Sequence, residues 1–201
     1  MSKTIEFIFD FGSPNAYLAL PPLREIAARH GAVVALVPCL LGGIFKATDN
    51  RPPMIAFGSV KGKMAYEKLE IDRFIKRHGL TKWRMNPHFP VNTLLAMRGL
   101  IVAQEAGIEE TYVAAVLTAM WEDGENMADP DVFVRVLDAA GLDGSTILGK
   151  TGDDAVKQRL AANTEAAVAR GVFGIPTFFV DGEMFFGKDR LGQVEEEAAA
   201  G

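Results

Sequence analysis

The fold is decided by residues 4–14, which read Thr4-Ile-Glu-Phe-Ile-Phe-Asp-Phe-Gly-Ser-Pro14. Apolar and polar residues largely alternate, and many are β-branched or aromatic, which predicts a β-strand over residues 4–11. Gly12 permits a tight turn, Ser13 is a preferred helix N-cap, and Pro14 suits the first position of a helix. The stretch therefore predicts a strand that turns sharply into a helix at Ser13.

The same pattern continues on both sides of a helical middle. Helical spacing runs from the Ser13 turn to Gly31, where glycine is typical of a helix end. Residues 32–40 are apolar nearly throughout, which predicts a second strand, buried on both faces and parallel to the first. Near the end of the chain, residues 173–187 indicate two strands joined at Asp181-Gly182, a strong hairpin signal.

The middle of the chain has mostly helical periodicity. Helices are predicted over Lys61–His78, Thr93–Ala106, Glu109–Glu122, Asp131–Ala140 and Asp153–Arg170. We therefore predict an α/β fold, a thioredoxin-like domain of the order β-α-β … β-β-α formed by residues 1–60 and 171–201. A large all-helical insertion, residues 61–170, interrupts it and is long enough to form a subdomain.

Composition excludes several classes of protein. The 201 residues include 21 Lys and Arg against 26 Asp and Glu, a net charge of -5, which argues against a nucleic-acid partner. No run approaches the roughly 20 apolar residues that a membrane-spanning helix needs. Charged residues at Lys3, Glu6 and Asp10 interrupt any signal-peptide core, so we expect a cytoplasmic protein with no membrane partner.

Cys39 is the single cysteine, and this excludes an intrachain disulfide, a CxxC redox pair and a multi-cysteine zinc site. It lies in an apolar strand, where a free cysteine is expected to be buried. The histidines His30, His78 and His88 are dispersed without the spacing of metal ligands, so no metal site is expected.

Several short motifs occur in a fairly specific order along the chain. They are Phe11-Gly-Ser-Pro14, Gly43-Ile-Phe-Lys46, Asn50-Arg-Pro-Pro53, Lys61-Gly62, Phe173-Gly-Ile-Pro176 and Phe186-Gly-Lys-Asp-Arg190. Together they resemble the 2-hydroxychromene-2-carboxylate isomerases and the kappa-class glutathione transferases, within the wider DsbA-like group. The resemblance covers essentially the whole chain, and the segment Asn86–Asn92 resembles the bacterial isomerase-like members. It implies glutathione as the cofactor and a homodimer.

Ser13 is the predicted catalytic residue. In thioredoxin-like redox proteins this corner holds a reactive cysteine, because backbone N–H groups and the helix dipole stabilise a thiolate there. Ser13 occupies that position, and Ala16 stands where a second cysteine would be. The serine hydroxyl could donate a hydrogen bond to a sulfur from outside the chain, and the resemblance assigns that sulfur to glutathione. Local sequence alone favours the simpler interpretation that Ser13 is only an N-cap.

The resemblance implies further contacts with glutathione. It implies a cis peptide at Ile175-Pro176, with the backbone of Ile175 pairing to the cysteinyl backbone of the tripeptide. It also implies that Asp189 and Arg190 hold the γ-glutamyl end, since a carboxylate suits its ammonium group and a helix start suits its carboxylate. Lys188 stands where kappa-class members usually carry serine and the isomerases asparagine.

The remaining candidates are polar or aromatic residues. The predicted glutathione site comprises Ser13, Asn50, Lys61, Ile175, Pro176, Lys188, Asp189 and Arg190, and the predicted substrate site comprises Lys46 and Asn92. Arg98 is a further candidate for the substrate pocket. Aromatic residues expected to line it are Phe45, Phe57, Trp83 and Phe89, because such pockets are largely apolar.

Three functions remain open from the sequence. The first is a glutathione-dependent cis–trans isomerase acting on 2-hydroxychromene-2-carboxylate-like aromatic carboxylates. The second is a kappa-like glutathione transferase or peroxidase, which would use the same thiolate on a small electrophile. The third is a thioredoxin-fold binding module that lost its redox cysteines and has no catalytic activity.

Overall fold

The computed structural model describes residues 2–200. The strands are β1 (Thr4–Phe9), β2 (Val33–Pro38), β3 (Thr177–Val180) and β4 (Glu183–Phe186). The helices are α1 (Pro14–His30), α2 (Leu41–Thr48), α3 (Pro53–Ala56), α4 (Lys63–His78), α5 (Leu94–Glu105), α6 (Glu109–Trp121), α7 (Pro130–Ala139), α8 (Gly144–Lys150), α9 (Asp154–Ala169) and α10 (Leu191–Ala199). A short 3₁₀ turn at Lys188–Arg190 precedes α10. No helix of residues 2–200 is long and apolar enough to cross a membrane.

The four strands form one mixed sheet in the order β2-β1-β3-β4. β1 runs parallel to β2 and antiparallel to β3, with Phe7 opposite Phe178. β3 and β4 form the predicted hairpin, in which Asp181 and Gly182 take the left-handed conformation with φ of 49° and 88°. This conformation is the one that a tight two-residue hairpin turn requires, so the Asp-Gly signal is confirmed.

The prediction for the second strand was wrong in one respect. We expected residues 32–40 to be buried on both faces, but β2 lies at an edge of the sheet and Val33 is 56% exposed. Helices α1, α5 and α9 pack on β2, and its buried residues, Leu36 and Pro38, lie towards the end of the strand. An edge position depends on strand order, which apolar composition does not determine.

Three helices were missed by the sequence patterns, namely α2, α3 and α8. α2 contains Gly42 and Gly43, which weaken a helix in isolation, and its N-cap, Leu40, makes no side-chain capping bond. Tertiary contacts stabilise it instead, since it packs against α9 and its first N–H binds a buried carboxylate. α8 is seven residues long and begins at Asp143, whose carboxylate accepts from the N–H of Thr146 at 2.8 Å.

A row of phenylalanines forms the centre of the core. Phe7 and Phe9 lie on one face of β1, which ends two residues before the predicted end at Phe11, and Phe11 continues the row; neighbouring rings pack edge to face with centroids 5.4 Å and 4.9 Å apart. Phe178 of β3 packs on Phe7 from the neighbouring strand at 4.8 Å. Such aromatic pairs stabilise the sheet by about 0.5–1.5 kcal/mol each beyond the burial of their area.

The helical block is attached to the sheet at the end of this row. The ring of Phe11 contacts Tyr112 of α6, with centroids 6.0 Å apart. The indole N–H of Trp121, also in α6, donates to the carbonyl of Phe11 at 2.9 Å. The division into residues 1–60 with 171–201 and residues 61–170 stays a prediction.

Asp10 is the buried polar group at this junction, with 1% of the residue exposed. Its carboxylate accepts from the N–H of Gly12 at 2.8 Å, the N–H of Leu41 at 2.7 Å and the hydroxyl of Thr93 at 2.7 Å. It therefore holds together the end of β1, the start of α2 and the start of α5. Burial raises the pKa of the Asp10 carboxyl above its ordinary value, although these hydrogen bonds oppose the shift.

We predict that this carboxyl makes the stability of the protein depend on pH. A carboxyl whose pKa is raised in the folded state adds stability below its unfolded pKa, and this is lost as pH rises through the folded value. Wild type should therefore lose stability relative to Asp10→Asn as pH rises from about 4, because the amide of the variant does not ionise. Urea unfolding across this range measures the difference, and parallel profiles for the two proteins would contradict the prediction.

Candidate functional site

Ser13 is buried at the corner between β1 and α1, with 3% of the residue exposed. Its hydroxyl oxygen accepts from the N–H of Ala16 at 3.2 Å, so the predicted N-cap is confirmed. The same hydroxyl donates to the carbonyl of Ile175 at 3.0 Å, which an N-cap does not require. Ser13 therefore joins the start of α1 to the segment that precedes β3.

The peptide bond between Ile175 and Pro176 is cis, as the resemblance implied. The carbonyl of Pro176 accepts from the N–H of Gly187 at 2.9 Å, and the hydroxyl of Thr177 donates to the carbonyl of Gly174 at 2.7 Å. These bonds fix the segment between the end of β4 and the Ser13 corner. Ile175 is almost fully buried, so its position relative to Ser13 is set by the core.

A cavity of about 290 Å³ opens beside this corner. It brings together five of the predicted glutathione residues, which are Asn50, Ile175, Pro176, Lys188 and Asp189. The aromatic residues Phe45 and Phe57 line it as expected, and Phe186 joins them. Trp83 and Phe89 do not line this cavity. A small space with apolar walls and a few charged groups can bind a polar ligand in one orientation.

Asn15 is a lining residue that the sequence patterns did not single out. It lies in the first turn of α1, next to the Ser13 corner, and its side-chain oxygen is buried without a hydrogen-bond partner among residues 2–200. A buried acceptor without a donor costs about 1–3 kcal/mol. A ligand that brings an N–H group into the cavity would satisfy it. Its place two residues after Ser13 was the only signal in the sequence.

Lys188 is a buried lysine in the wall of the cavity. Only 5% of the residue is exposed, and its ammonium lies 3.1 Å from a carboxylate oxygen of Asp189. The ammonium also lies 5.3 Å from the centre of the Phe74 ring. Burying a charge is costly unless it is paired, and Asp189 remains 62% exposed at its side chain. The pair can therefore present a buried cation and an accessible carboxylate to one ligand.

Asn50 links the end of α2 to the segment before the cis proline. Its side-chain N–H donates to the carbonyl of Phe173 at 2.7 Å, and its oxygen accepts from the N–H of Arg51 at 2.8 Å. Both ends of the amide are thus used within the protein. Asn50 shapes the wall of the cavity in this structure.

The other predicted residues, Ser13 among them, are not part of the cavity wall, although the neighbours Asn15 and Ile175 are. Lys46, Lys61 and Arg190 are exposed, and Asn92 is exposed with its oxygen accepting from the N–H of Leu94 at 3.0 Å. Their assignment to glutathione or to the substrate stays a prediction. Arg98, which we expected to face the substrate pocket, lines a different cavity.

Lys63 is a basic residue near the cavity that the motifs did not indicate. Its ammonium lies 2.6 Å from a carboxylate oxygen of Glu67 and 5.6 Å from the centre of the Phe57 ring. Both neighbours line the cavity. Lys63 therefore lies beside this rim, with its ammonium paired to Glu67.

Cys39 is fully buried and lies away from the cavity wall. Burial, with a smaller effect from the charge of Asp10, raises the pKa of the Cys39 thiol to about 12. Its sulfur lies 3.5 Å from the carbonyl oxygen of Asn163. The prediction that Cys39 is a core residue is confirmed, and its thiol cannot supply a thiolate at neutral pH.

Comparison with known proteins gives a family and two groups of relatives. Residues 4–199 match the family described as the DSBA-like thioredoxin domain. The chain is 30% identical to a 2-hydroxychromene-2-carboxylate isomerase of Pseudomonas putida over 95% of this chain and 92% of the relative. It is 28% identical to glutathione S-transferase kappa 1 of Homo sapiens over 95% of this chain and 88% of the relative.

A solved structure supports the same grouping. The fold superimposes on a 2-hydroxychromene-2-carboxylate isomerase with a TM-score of 0.82 at 28% identity. The match covers 96% of this chain and 93% of that one. Since both chains are covered almost completely, the predicted thioredoxin-like architecture with helical additions is confirmed.

We predict that Cys39 does not react with thiol reagents in the folded protein. Its burial and raised pKa keep the sulfur protonated and inaccessible. Labelling with a chromogenic disulfide at neutral pH should be negligible in buffer and should reach one equivalent in guanidinium chloride, because the chain has a single cysteine. Rapid labelling of the native protein would contradict this.

Proposed function

The chain belongs to the DsbA-like thioredoxin-domain family, and its relatives there include the 2-hydroxychromene-2-carboxylate isomerases and the kappa-class glutathione transferases. From this membership we propose a function. Membership supports an enzyme of this family. The reaction proposed is a glutathione-dependent cis–trans isomerisation of 2-hydroxychromene-2-carboxylate-like aromatic carboxylates. The first observation that supports this reaction is the position of Ser13, at the corner where related redox proteins carry a thiol. The single cysteine of this chain, Cys39, is buried elsewhere.

The cavity residues fit a zwitterionic peptide ligand such as glutathione. The side-chain oxygen of Asn15 has no hydrogen-bond partner among residues 2–200 and can accept from the N–H of a peptide or an ammonium group. The buried ammonium of Lys188 suits a carboxylate, and the accessible carboxylate of Asp189 suits an ammonium group. These residues line one cavity together with the cis Ile175-Pro176 segment. Glutathione, when bound, supplies a thiolate that adds reversibly to an activated double bond and so allows that bond to rotate.

Ser13 is proposed to favour the charged form of the sulfur. Its hydroxyl donates to the carbonyl of Ile175 in this structure, and rotation about the Cβ–Oγ bond would free that hydrogen for a sulfur bound at the corner. The oxygen continues to accept from the N–H of Ala16 during this rotation, so the helix start is unchanged. The N-terminus of α1 adds its partial positive charge at the same point.

Basic residues are proposed to orient the carboxylate of the second substrate. Lys46 and Lys61 are the residues expected from the sequence, and Lys63 lies beside two cavity-lining residues. An ammonium group at the rim attracts an organic anion and leaves its apolar rings to pack on Phe45 and Phe57. Asn92 stays a candidate for a polar contact at the far side.

A kappa-like glutathione transferase is the second candidate, favoured by the similarity to glutathione S-transferase kappa 1. It would use the same cavity and the same serine but would release a conjugate. Parallel assays with a chromene carboxylate and with chlorodinitrobenzene separate the two. Conjugation that outpaces isomerisation by a wide margin selects the transferase.

We predict that Ser13→Ala loses most of the glutathione-dependent turnover. A hydrogen bond to a charged group contributes about 1.5–3 kcal/mol, which corresponds to a loss in rate of roughly 10- to 100-fold. The substitution also removes the N-cap and should lower stability by about 1 kcal/mol. Isomerisation and conjugation rates with and without glutathione measure the effect.

Asp129→Ala is the matched control, because Asp129 caps α7 by accepting from the N–H of Asp131 at 2.9 Å and lies outside the cavity wall. It should lose similar stability and keep its activity. Equal turnover in the absence of glutathione, or full activity of Ser13→Ala, would overturn the proposal.

We predict that Asp189→Asn weakens glutathione binding on the order of three- to tenfold, because an exposed carboxylate contributes a modest charge interaction. Calorimetric titration with millimolar glutathione measures the affinity. The control is Asp154→Asn, which also removes an exposed carboxylate paired with a lysine, Lys157 at 3.0 Å, and should bind normally. Absence of glutathione binding by the wild-type chain would select the binding-module interpretation over both enzymes.

A further inference from the structure

A second cavity, of about 360 Å³, lies on the other side of α2 from the Ser13 corner. It is lined mainly by residues of α2, α5 and α9, and shares no lining residue with the cavity of Asn50 and Lys188. Most of its wall is apolar, including Ala47, Leu94 and Leu160. Its volume falls within the range of small-molecule sites.

Arg98 of α5 is the group in this cavity that needs explaining. Its Nε–H is buried and has no hydrogen-bond partner among residues 2–200. Of the described arginines, Arg24 and Arg98 are half-buried; Arg24 pairs with Glu110 at 2.7 Å, whereas Arg98 forms no ion pair with a described carboxylate. A guanidinium is always charged, so this charge cannot be removed by deprotonation. Burying a donor without an acceptor costs about 1–3 kcal/mol, which a ligand with an acceptor would recover.

The other charged residues of the cavity, Lys157 and Glu165, form no ion pair with Arg98. Lys157 pairs outward with Asp154 at 3.0 Å. Glu165 lines the cavity from an exposed position on α9 and forms no ion pair with Arg98. The cavity thus combines apolar walls with a permanently charged guanidinium that forms no ion pair with a described carboxylate and whose Nε–H is unsatisfied among residues 2–200.

From this combination we infer that the cavity of Arg98 is a binding site for a small aromatic carboxylate. The carboxylate would accept two parallel hydrogen bonds from the guanidinium, the geometry in which arginine binds carboxylates best. The ring system would pack on the apolar side chains of α2, α5 and α9. The site does not depend on the proposed function, since it uses neither Ser13 nor glutathione.

Calorimetric titration of the full chain with 2-naphthoate, without glutathione, tests this inference. The wild-type protein should bind one equivalent, and the neutral 2-naphthamide should bind at least tenfold more weakly, because it cannot form the charge-assisted pair. Arg98→Met, which keeps apolar bulk and removes the charge, should weaken naphthoate binding by roughly 10- to 100-fold. Ala161→Trp should also weaken it, since Ala161 is an exposed lining residue and a larger ring there fills the space.

Two variants serve as controls for the site. Arg159→Met removes an exposed arginine of α9 that lies outside the cavity wall, and should bind naphthoate normally. Ser13→Ala should also bind normally, which separates this site from the glutathione cavity. Loss of binding in Ser13→Ala, with Arg98→Met unaffected, would place the carboxylate at the Ser13 corner and overturn the inference. No binding to the wild-type chain would overturn it as well.

Thermal unfolding with and without naphthoate separates a loss of binding from a loss of folding in the variants. Arg98→Met should be at least as stable as wild type without ligand, because it removes an unpartnered buried donor. Saturating naphthoate should raise the Tm of wild type and of Arg159→Met and leave that of Arg98→Met unchanged. An equal rise in all three proteins would contradict the role of Arg98.

Discussion

The carboxylate of Asp10 is buried and accepts hydrogen bonds from three segments that meet at the end of β1. It fixes the turn at Gly12, the first N–H of α2 at Leu41 and the hydroxyl of Thr93 before α5. Removing the acceptor would leave three donors to find other partners in a closed interior, which is costly. One side chain therefore connects the corner that carries Ser13 to the starts of α2, which lines both cavities, and of α5, which lines the cavity of Arg98.

α2 is the element through which this constraint reaches both sites. One face of the helix presents Phe45 to the cavity at the Ser13 corner, and the other presents Ala47 to the cavity of Arg98. Its glycines would give a weak helix in isolation, so its stability comes from α9 and from the bond at its first N–H. A ligand that packs on either face therefore contacts a helix held in place mainly by tertiary contacts.

The chemistry of the corner follows from where charge can be stabilised. The site supplies a hydroxyl at Ser13 and a buried ammonium at Lys188, which are both suited to anions. The thiol of the chain, Cys39, sits where burial opposes ionisation. This distribution is consistent with a sulfur nucleophile that arrives with a second molecule, as the proposed function requires.

Features that depend on neighbouring residues were determined by the sequence itself. The strand-to-helix turn at Ser13, the hairpin at Asp181-Gly182 and the helix start at Asp129 follow from local backbone preferences and side-chain caps. The tertiary structure alone decided that β2 is an edge strand, that Asn15 lies in the cavity with Lys188, and that Arg98 lies behind α2. These depend on contacts between residues far apart in the chain, whose energies no short stretch contains.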